Sequence, residues 1–280
     1  MSKKFQSATI LANQVLHSTL ASTYESDEPH FRPENRAKVA HRLKMISDSL
    51  RVSKTMVDLG CGTGFLAELA PSRIQKIIGV DTTEQMLDVL RRKKLPRVEL
   101  LVESVDQTFL PADVADLVTG YSVLDHFENP ETVFSEAARI LRPGGIFYMD
   151  LIPNADFWQG LRSINRTTAD IDSIVAREIY EVAHHGQKML SEHGVPFDVL
   201  SAAEPHKEAT DGFSIQGLSD LLSKAGFKDI SIHREWFLGE AEVLHSQSVD
   251  AALLVATHLQ RLSPLSDHLF KYLWFTATKP

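Results

Sequence analysis

Cysteine is nearly absent. Cys61 is the only one in 280 residues, which excludes an intrachain disulfide framework and a Cys-rich metal site. No apolar run reaches the roughly 20 residues that a membrane-spanning helix needs. The opening MSKKFQSATIL lacks the apolar core of a signal peptide. A cytoplasmic chain with no membrane partner is therefore expected. Positive charge is scarce too, with 29 Lys and Arg against 37 Asp and Glu and a net charge of −8. The longest basic run, Arg91-Arg92-Lys93-Lys94, closes a predicted helix, where it suits the helix dipole. Nucleic acid is not an expected partner, because phosphate-tracking proteins carry far more positive charge. Internal repeats and low-complexity tracts are missing as well.

The residues that are present describe an α/β chain. Hydrophobic residues make up 43%, enough for a sizeable core, and the length suits one elaborated domain or a core plus a cap. Two helices are predicted over 9–24 and 33–50, the second opened by Pro33 and Glu34. Strands at 55–60, 76–81, 98–104, 115–121 and 146–152 then alternate with helices at 64–70, 83–93 and 130–141. Asn129-Pro130-Glu131 starts the last of these helices, and Leu141-Arg142-Pro143-Gly144-Gly145 turns the chain out of it. Such alternation predicts right-handed βαβ units and a doubly wound parallel sheet. Residues 153–212 break the rhythm, with one helix predicted near 169–190 on the stripe Ile171, Ile174, Val175, Ile179 and Val182. The rhythm resumes with a capped helix from Ser214 and strands at 228–236 and 271–278. Between those strands, 238–268 contains the apolar run Ala251–Ala256, which suits either a homodimer contact or the core.

The most informative stretch is Met56–Leu69, MVDLGCGTGFLAEL, with Gly79-Val80-Asp81 closing the next apolar run. Glycine at 60, 62 and 64 lets the backbone turn tightly and approach a ligand. The helix that follows offers free N–H groups. Asp81 stands at a strand end, where it can accept from both hydroxyls of a ribose. A nucleoside site follows. A dinucleotide site prefers G-x-G-x-x-G, and Phe65 occupies the place of its third glycine. Hence an NAD(P)-dependent oxidoreductase is the weaker alternative.

VDLGCGTGF with Asp81 resembles motif I of the class I S-adenosylmethionine-dependent methyltransferases. The LRPGG turn, the SIQGLSDLLSKAGF helix and the closing KYLWFTATK strand extend the resemblance to that family's small-molecule branch, methyltransferase type 11. The resemblance implies a Rossmann-like seven-stranded sheet of order 3-2-1-4-5-7-6 with its last strand antiparallel. It implies S-adenosyl-L-methionine as cofactor and transfer of a methyl group to O, N or C of a small molecule. Binding of the cofactor without transfer is the alternative. The core would comprise residues 51–152 and 213–280, with 1–50 as a helical lid, 153–212 as a cap and 238–268 as a helical insertion.

By the same resemblance, Gly60, Cys61 and Gly62 line the methionyl part, with Asp58 beneath and Gly64 completing the loop. Asp81 takes the ribose, Thr82 and Met86 flank the adenine, and Tyr121 stands near the sulfonium. Ser104 and Val105 end the third strand where the family often has an acidic residue, with Asp106 close by. Tyr24 and Arg32 are candidates to close over the cofactor, or else belong to a loop packed on the core. His126, beside Asp125 at the end of the fourth strand, is the candidate proton acceptor; an ordinary helix-start pair is the alternative. Cys61, wedged between glycines, does not read as a nucleophile. TGYSVLDHF replaces the N/D-P-P-Y/F run of amino-methylating nucleic-acid enzymes. His184, His185, His193 and His206 have spacings too irregular to announce a metal site, and none is expected.

Overall fold

Burial follows directly from the apolar runs. In a computed structural model, which describes residues 7–52, 54–163, 173–206, 212–241 and 248–280, three of the five inner strands are covered on both faces along almost their whole length. These are β1 (Thr55–Leu59), β2 (Lys76–Asp81) and β4 (Ala115–Tyr121). Strands buried on both faces read as continuous rather than alternating hydrophobic stretches. β3 (Val98–Val102) and β6 (Lys228–Phe237) form the edges and are correspondingly more exposed. The sheet order is β3-β2-β1-β4-β5-β7-β6. All pairs are parallel except those of β7 (Phe270–Thr278), which runs antiparallel to both β5 (Leu141–Pro153) and β6.

One face of the sheet packs Val57, Val118 and Phe147 against α6 (Pro130–Ile140) and α10 (Ile215–Lys224). The other packs Met56, Leu117 and Tyr148 against α3 (Pro33–Ser49) and α4 (Phe65–Leu69). The fifth strand is longer than the sequence suggests. Pairing begins at Leu141 opposite Ala115 and shifts register before Leu117 meets Ile146, so the LRPGG segment is a kink within the strand. Gly144 takes φ +79° there.

The peripheral helices depart further from expectation. The first splits into α1 (Ala8–Leu20) and a short α2 (Tyr24–Asp27), redirecting the chain so that Tyr24 faces the strand ends. α5 (Glu84–Arg92) follows β2 as expected. The 153–212 segment holds α7 (Ala155–Ser163), α8 (Ser173–His193) and α9 (Phe197–Ala203), where one helix was expected. Of the stripe predicted on that helix, Ile171 and the side chains of Ile174, Val175, Ile179 and Val182 lie outside the described residues. α9 packs Leu200 and Ala203 on Ala12 and Leu16 of α1. α11 (Val249–Arg261) carries the Ala251–Ala256 run, burying Ala252 but leaving Leu253 and Leu254 exposed.

Candidate functional site

The loop after β1 is fixed by its own backbone. Gly60 N and Cys61 N both donate to Val80 O, at 2.8 and 3.1 Å, which ties the loop to β2. Gly60 and Gly64 adopt φ +72° and +97°. A Cβ at Gly60 would lie 2.3 Å from Val123 Cγ2, and one at Gly64 would lie 2.4 Å from Leu90 Cδ1. Glycine is thus required at both for conformation and for space. Asp81 completes the clasp: Oδ2 accepts from Gly62 N at 2.9 Å and Oδ1 from Thr83 N at 2.8 Å.

Three adjoining cavities open above the strand ends. The first, about 630 Å³, is lined by Tyr24, Gly60, Gly62, Asp81, Thr82, Met86, Ser104, Val105, Tyr121 and His126, all nominated by the sequence. Ser104 Oγ donates to the Asp106 carboxylate, and Asp106 itself stays out of the lining. The second, about 310 Å³, holds Asp58 and Cys61. Its walls are aromatic, with ring centroids 4.6 Å apart for Phe65 and Tyr121 and 5.0 Å for His30 and Phe65. Phe65 at the third-glycine place therefore builds a wall. The third, about 640 Å³, lies beyond the end of β4.

Arg32 and Gly64 line none of these cavities. Arg32 is exposed, its backbone N donating to Pro29 O at 3.1 Å to close the turn before α3. Gly64 serves the start of α4. Burial, aided by Asp81 and Asp58, pushes the Cys61 thiol well above its ordinary range, which leaves it un-ionised and unreactive.

The sequence reading missed the contribution of α1. Ile10, Asn13 and His17 line the first cavity at spacing i, i+3, i+7, one helical face. Asn13 Nδ2 donates to Thr9 O, His126 O and Ala203 O at 3.0, 3.3 and 3.1 Å, and Gln14 Nε2 to Thr82 O at 3.1 Å. A carboxamide and an imidazole inside an otherwise apolar helix face were the only local signal. His126 sits in the 3₁₀ turn Leu124–His126. Its Nδ1 lies 2.9 Å from Ala203 O, which can only accept, so neutral His126 keeps its lone pair on Nε2. His17 Nδ1 is likewise 3.0 Å from Asn13 O, and the two rings meet edge-on at 4.9 Å. Burial and then His126 hold His17 below its ordinary value. Of the four histidines in the cap, His185 lines the third cavity, while His184 stacks on Tyr180 at 4.0 Å.

Asp58 is a buried carboxyl whose partner is Thr119 Oγ1, donating at 2.8 Å. Burial raises it to about 7; Thr119 opposes this and Asp81 adds to it. The unfolded chain releases this proton near the ordinary 3.8 while the folded chain keeps it to about 7. Its contribution to stability is therefore full below the lower value and lost as pH rises through the higher one. The loss is on the order of 4 kcal/mol. Asp58→Asn should gain on the wild type between pH 5 and pH 8 in denaturant titrations. An equal difference at both pH values would show that Asp58 does not titrate there.

Comparisons with known proteins agree with this geometry. The family described as "Methyltransferase domain" matches residues 57–149, from within β1 to within β5. The chain is 31% identical over 155 residues to the ubiquinone biosynthesis O-methyltransferase of Idiomarina loihiensis, a match covering 50% of this chain and 60% of that protein. It is 28% identical over 171 residues to the protein of the same name from Pectobacterium atrosepticum, covering 56% and 70%. The first match thus spans less than two thirds of the relative's own length. Among solved structures, phosphoethanolamine N-methyltransferase 2 of Haemonchus contortus aligns with a TM-score of 0.57 at 17% identity. That alignment covers 100% of this chain and 61% of the other. A possible histamine N-methyltransferase from Thermotoga maritima aligns at 0.52 with 18% identity, over 95% and 100%. These likenesses carry the fold. Residues 57–149 thus match a methyltransferase domain, and the sheet order and glycine loop around them are those that the resemblance to the class I S-adenosylmethionine-dependent methyltransferases implied.

Proposed function

We propose that this chain binds S-adenosyl-L-methionine and transfers its methyl group to a nucleophilic atom of a small molecule. The observation that carries this reading is a junction. His17, Tyr24, Ser122 and His126 line both the first cavity and the third, so a nucleoside-sized pocket opens directly into a second space. A protein that only bound the cofactor would have no use for that second space.

The residues present fit the cofactor. The Asp81 carboxylate has lone pairs left for ribose hydroxyls after serving Gly62 and Thr83. Thr82, Met86, Ser104 and Val105 suit the adenine. The aromatic walls around Asp58, namely Tyr24, His30, Phe65 and Tyr121, suit the cationic methionyl end. When bound, the cofactor supplies an electrophilic methyl group. The chain's own part is to align the acceptor, exclude water and take a proton. His126 Nε2, at the junction, is placed for that proton, with neutral His17 beside it. Helices α1, α8 and α9, with α2, form the lid over both cavities, which suits a compact acceptor.

His126→Gln keeps a hydrogen-bonding side chain but removes the base. It should lower kcat about 10²–10³-fold while S-adenosylhomocysteine affinity, read by calorimetry, stays within about threefold. Labelled-methyl transfer to a panel of small amines and alcohols provides the rate. Undiminished turnover would remove His126 from the mechanism. Binding of NAD in place of S-adenosylhomocysteine would remove the methyltransferase reading itself.

A further inference from the structure

The third cavity is rich in acidic side chains. Its walls include the carboxylates of Glu28, Asp125 and Glu204 and the imidazoles of His17, His126 and His185, the last 3.8 Å from Glu204; among the described residues neither lysine nor arginine lines it. Asp125 is 4% exposed, and its Oδ1 has no hydrogen-bond partner among the described residues. Such a buried acceptor is costly unless a donor arrives to meet it. Its position in the lining aims that need at whatever enters the cavity.

We infer that the acceptor is a primary or secondary amine carried on an apolar body, its ammonium received by Asp125, Glu204 and His126. This rests on the methyl-transfer reading above and specifies its substrate class. Asp125, His126 and Glu204 each offer one atom, and these atoms lie within 4.8 Å of one another. Three acceptors arranged tetrahedrally around an ammonium at about 2.8 Å stand about 4.6 Å apart. The same atoms on a divalent metal, at about 2.1 Å, would stand roughly 3.4 Å apart. Both spacings lie within 4.8 Å, so the preference for an ammonium rests on the unpartnered Asp125 carboxylate and the cavity's walls. Leu16, Leu20 and Met189 supply apolar wall, and Tyr24 and Tyr272 supply aromatic wall suited to a cation's flank. A phosphate- or carboxylate-bearing acceptor would meet three carboxylates and, among the described residues, neither lysine nor arginine.

The chemistry balances. His126 Nε2 takes one proton from the ammonium, which frees the nitrogen lone pair. That pair forms the new N–C bond as the donor's C–S bond breaks, its electrons staying on sulfur. The product is a methylated ammonium.

The test uses the full chain saturated with S-adenosylhomocysteine. Matched probes, 2-phenylethylamine with 2-phenylethanol and further amine–alcohol pairs of graded length, are titrated by calorimetry. At least one amine is expected to bind tenfold or more tighter than its alcohol. Asp125→Asn combined with Glu204→Gln should erase that preference while S-adenosylhomocysteine affinity, the control for folding, holds. The inference is overturned if no amine outbinds its alcohol or if the preference survives the double variant. It is also overturned if Mn²⁺ or Zn²⁺ binds one to one at these residues and is required for turnover. Methyl transfer to the alcohols alone would overturn the amine class and leave the methyltransferase reading intact. Tight amine binding with no methyl transfer from S-adenosylmethionine would do the reverse.

Discussion

Replacing Arg42 by methionine is expected to destabilise the fold by about 3–5 kcal/mol, lowering Tm by roughly 6–20 °C. Arg42 projects from α3 into a buried charge network that joins the N-terminal helices to the far edge of the sheet. It pairs with Asp150 on β5, lies 2.8 Å from Glu235 on β6, and stacks 4.1 Å above Trp274 on β7. Asp150 and Glu235 have side chains only 2% and 8% exposed. Tyr148 donates its hydroxyl to Asp150. Lys38 binds Glu235 at 2.5 Å and Glu240 at 3.1 Å, over the Trp236 ring. Methionine keeps much of the packing volume and removes the charge, so two carboxylates stay buried with too few cations. The triple variant with Asp150→Asn and Glu235→Gln should recover most of the loss, since it removes Arg42 together with both its carboxylates and leaves Lys38 paired with Glu240.

A pH signature accompanies it. Burial works against the Glu235 carboxylate, but Arg42 and Lys38 outweigh burial and hold it to about 2, below the ordinary 4.5. A depressed acid contributes stability above its unfolded value and loses it as pH falls through the folded one. The wild type should therefore lose stability between about pH 4.5 and pH 2. Arg42→Met should show a shallower limb there. A cost under 1 kcal/mol would mean that Arg42 does not neutralise these acids. S-adenosylhomocysteine affinity should change little, because Arg42 lines none of the three cavities.

That network could not be read from the sequence. Residues 38 and 42 share a helix face, but 150, 235 and 240 lie far from them in sequence, and each alone looks like an ordinary charge. The sheet was legible for the opposite reason. Strands buried on both faces write continuous apolar runs, and short βα connections leave few ways to order them. The glycine loop and Asp81 were legible because they lie within about twenty residues of one another and each residue type answers a backbone demand. The acceptor side of the site was not. It is assembled from α1, the turn after β4 and the end of α9, where His17, His126 and Glu204 meet by tertiary packing alone. The break between α1 and α2 and the helices α7 and α9 were missed likewise, because tertiary contacts decided them over weak local propensity. His126 was reached only because it follows a strand end, and Asn13, which fastens that turn to α9, carried no motif.

The second large effect is expected at Asp81, where alanine should weaken S-adenosylhomocysteine binding about 100- to 1,000-fold, or about 2.7–4 kcal/mol. A carboxylate has about four lone-pair sites. Gly62 N–H and Thr83 N–H take two of them and hold loop, strand and α5 in one geometry. The remaining two face the first cavity, where ribose hydroxyls would donate, each such bond to a charged acceptor contributing roughly 1.5–3 kcal/mol. Asparagine should fall between wild type and alanine. Its single acceptor oxygen cannot serve both backbone donors, and its amide N–H would oppose one of them. The discriminating measurement compares adenosine with 2′,3′-dideoxyadenosine by calorimetry. Wild type should prefer adenosine at least tenfold, and Asp81→Ala should lose that preference. If affinity falls while the preference for adenosine survives, Asp81 organises the loop but does not touch the sugar. The ribose must then be held by other residues of the pocket.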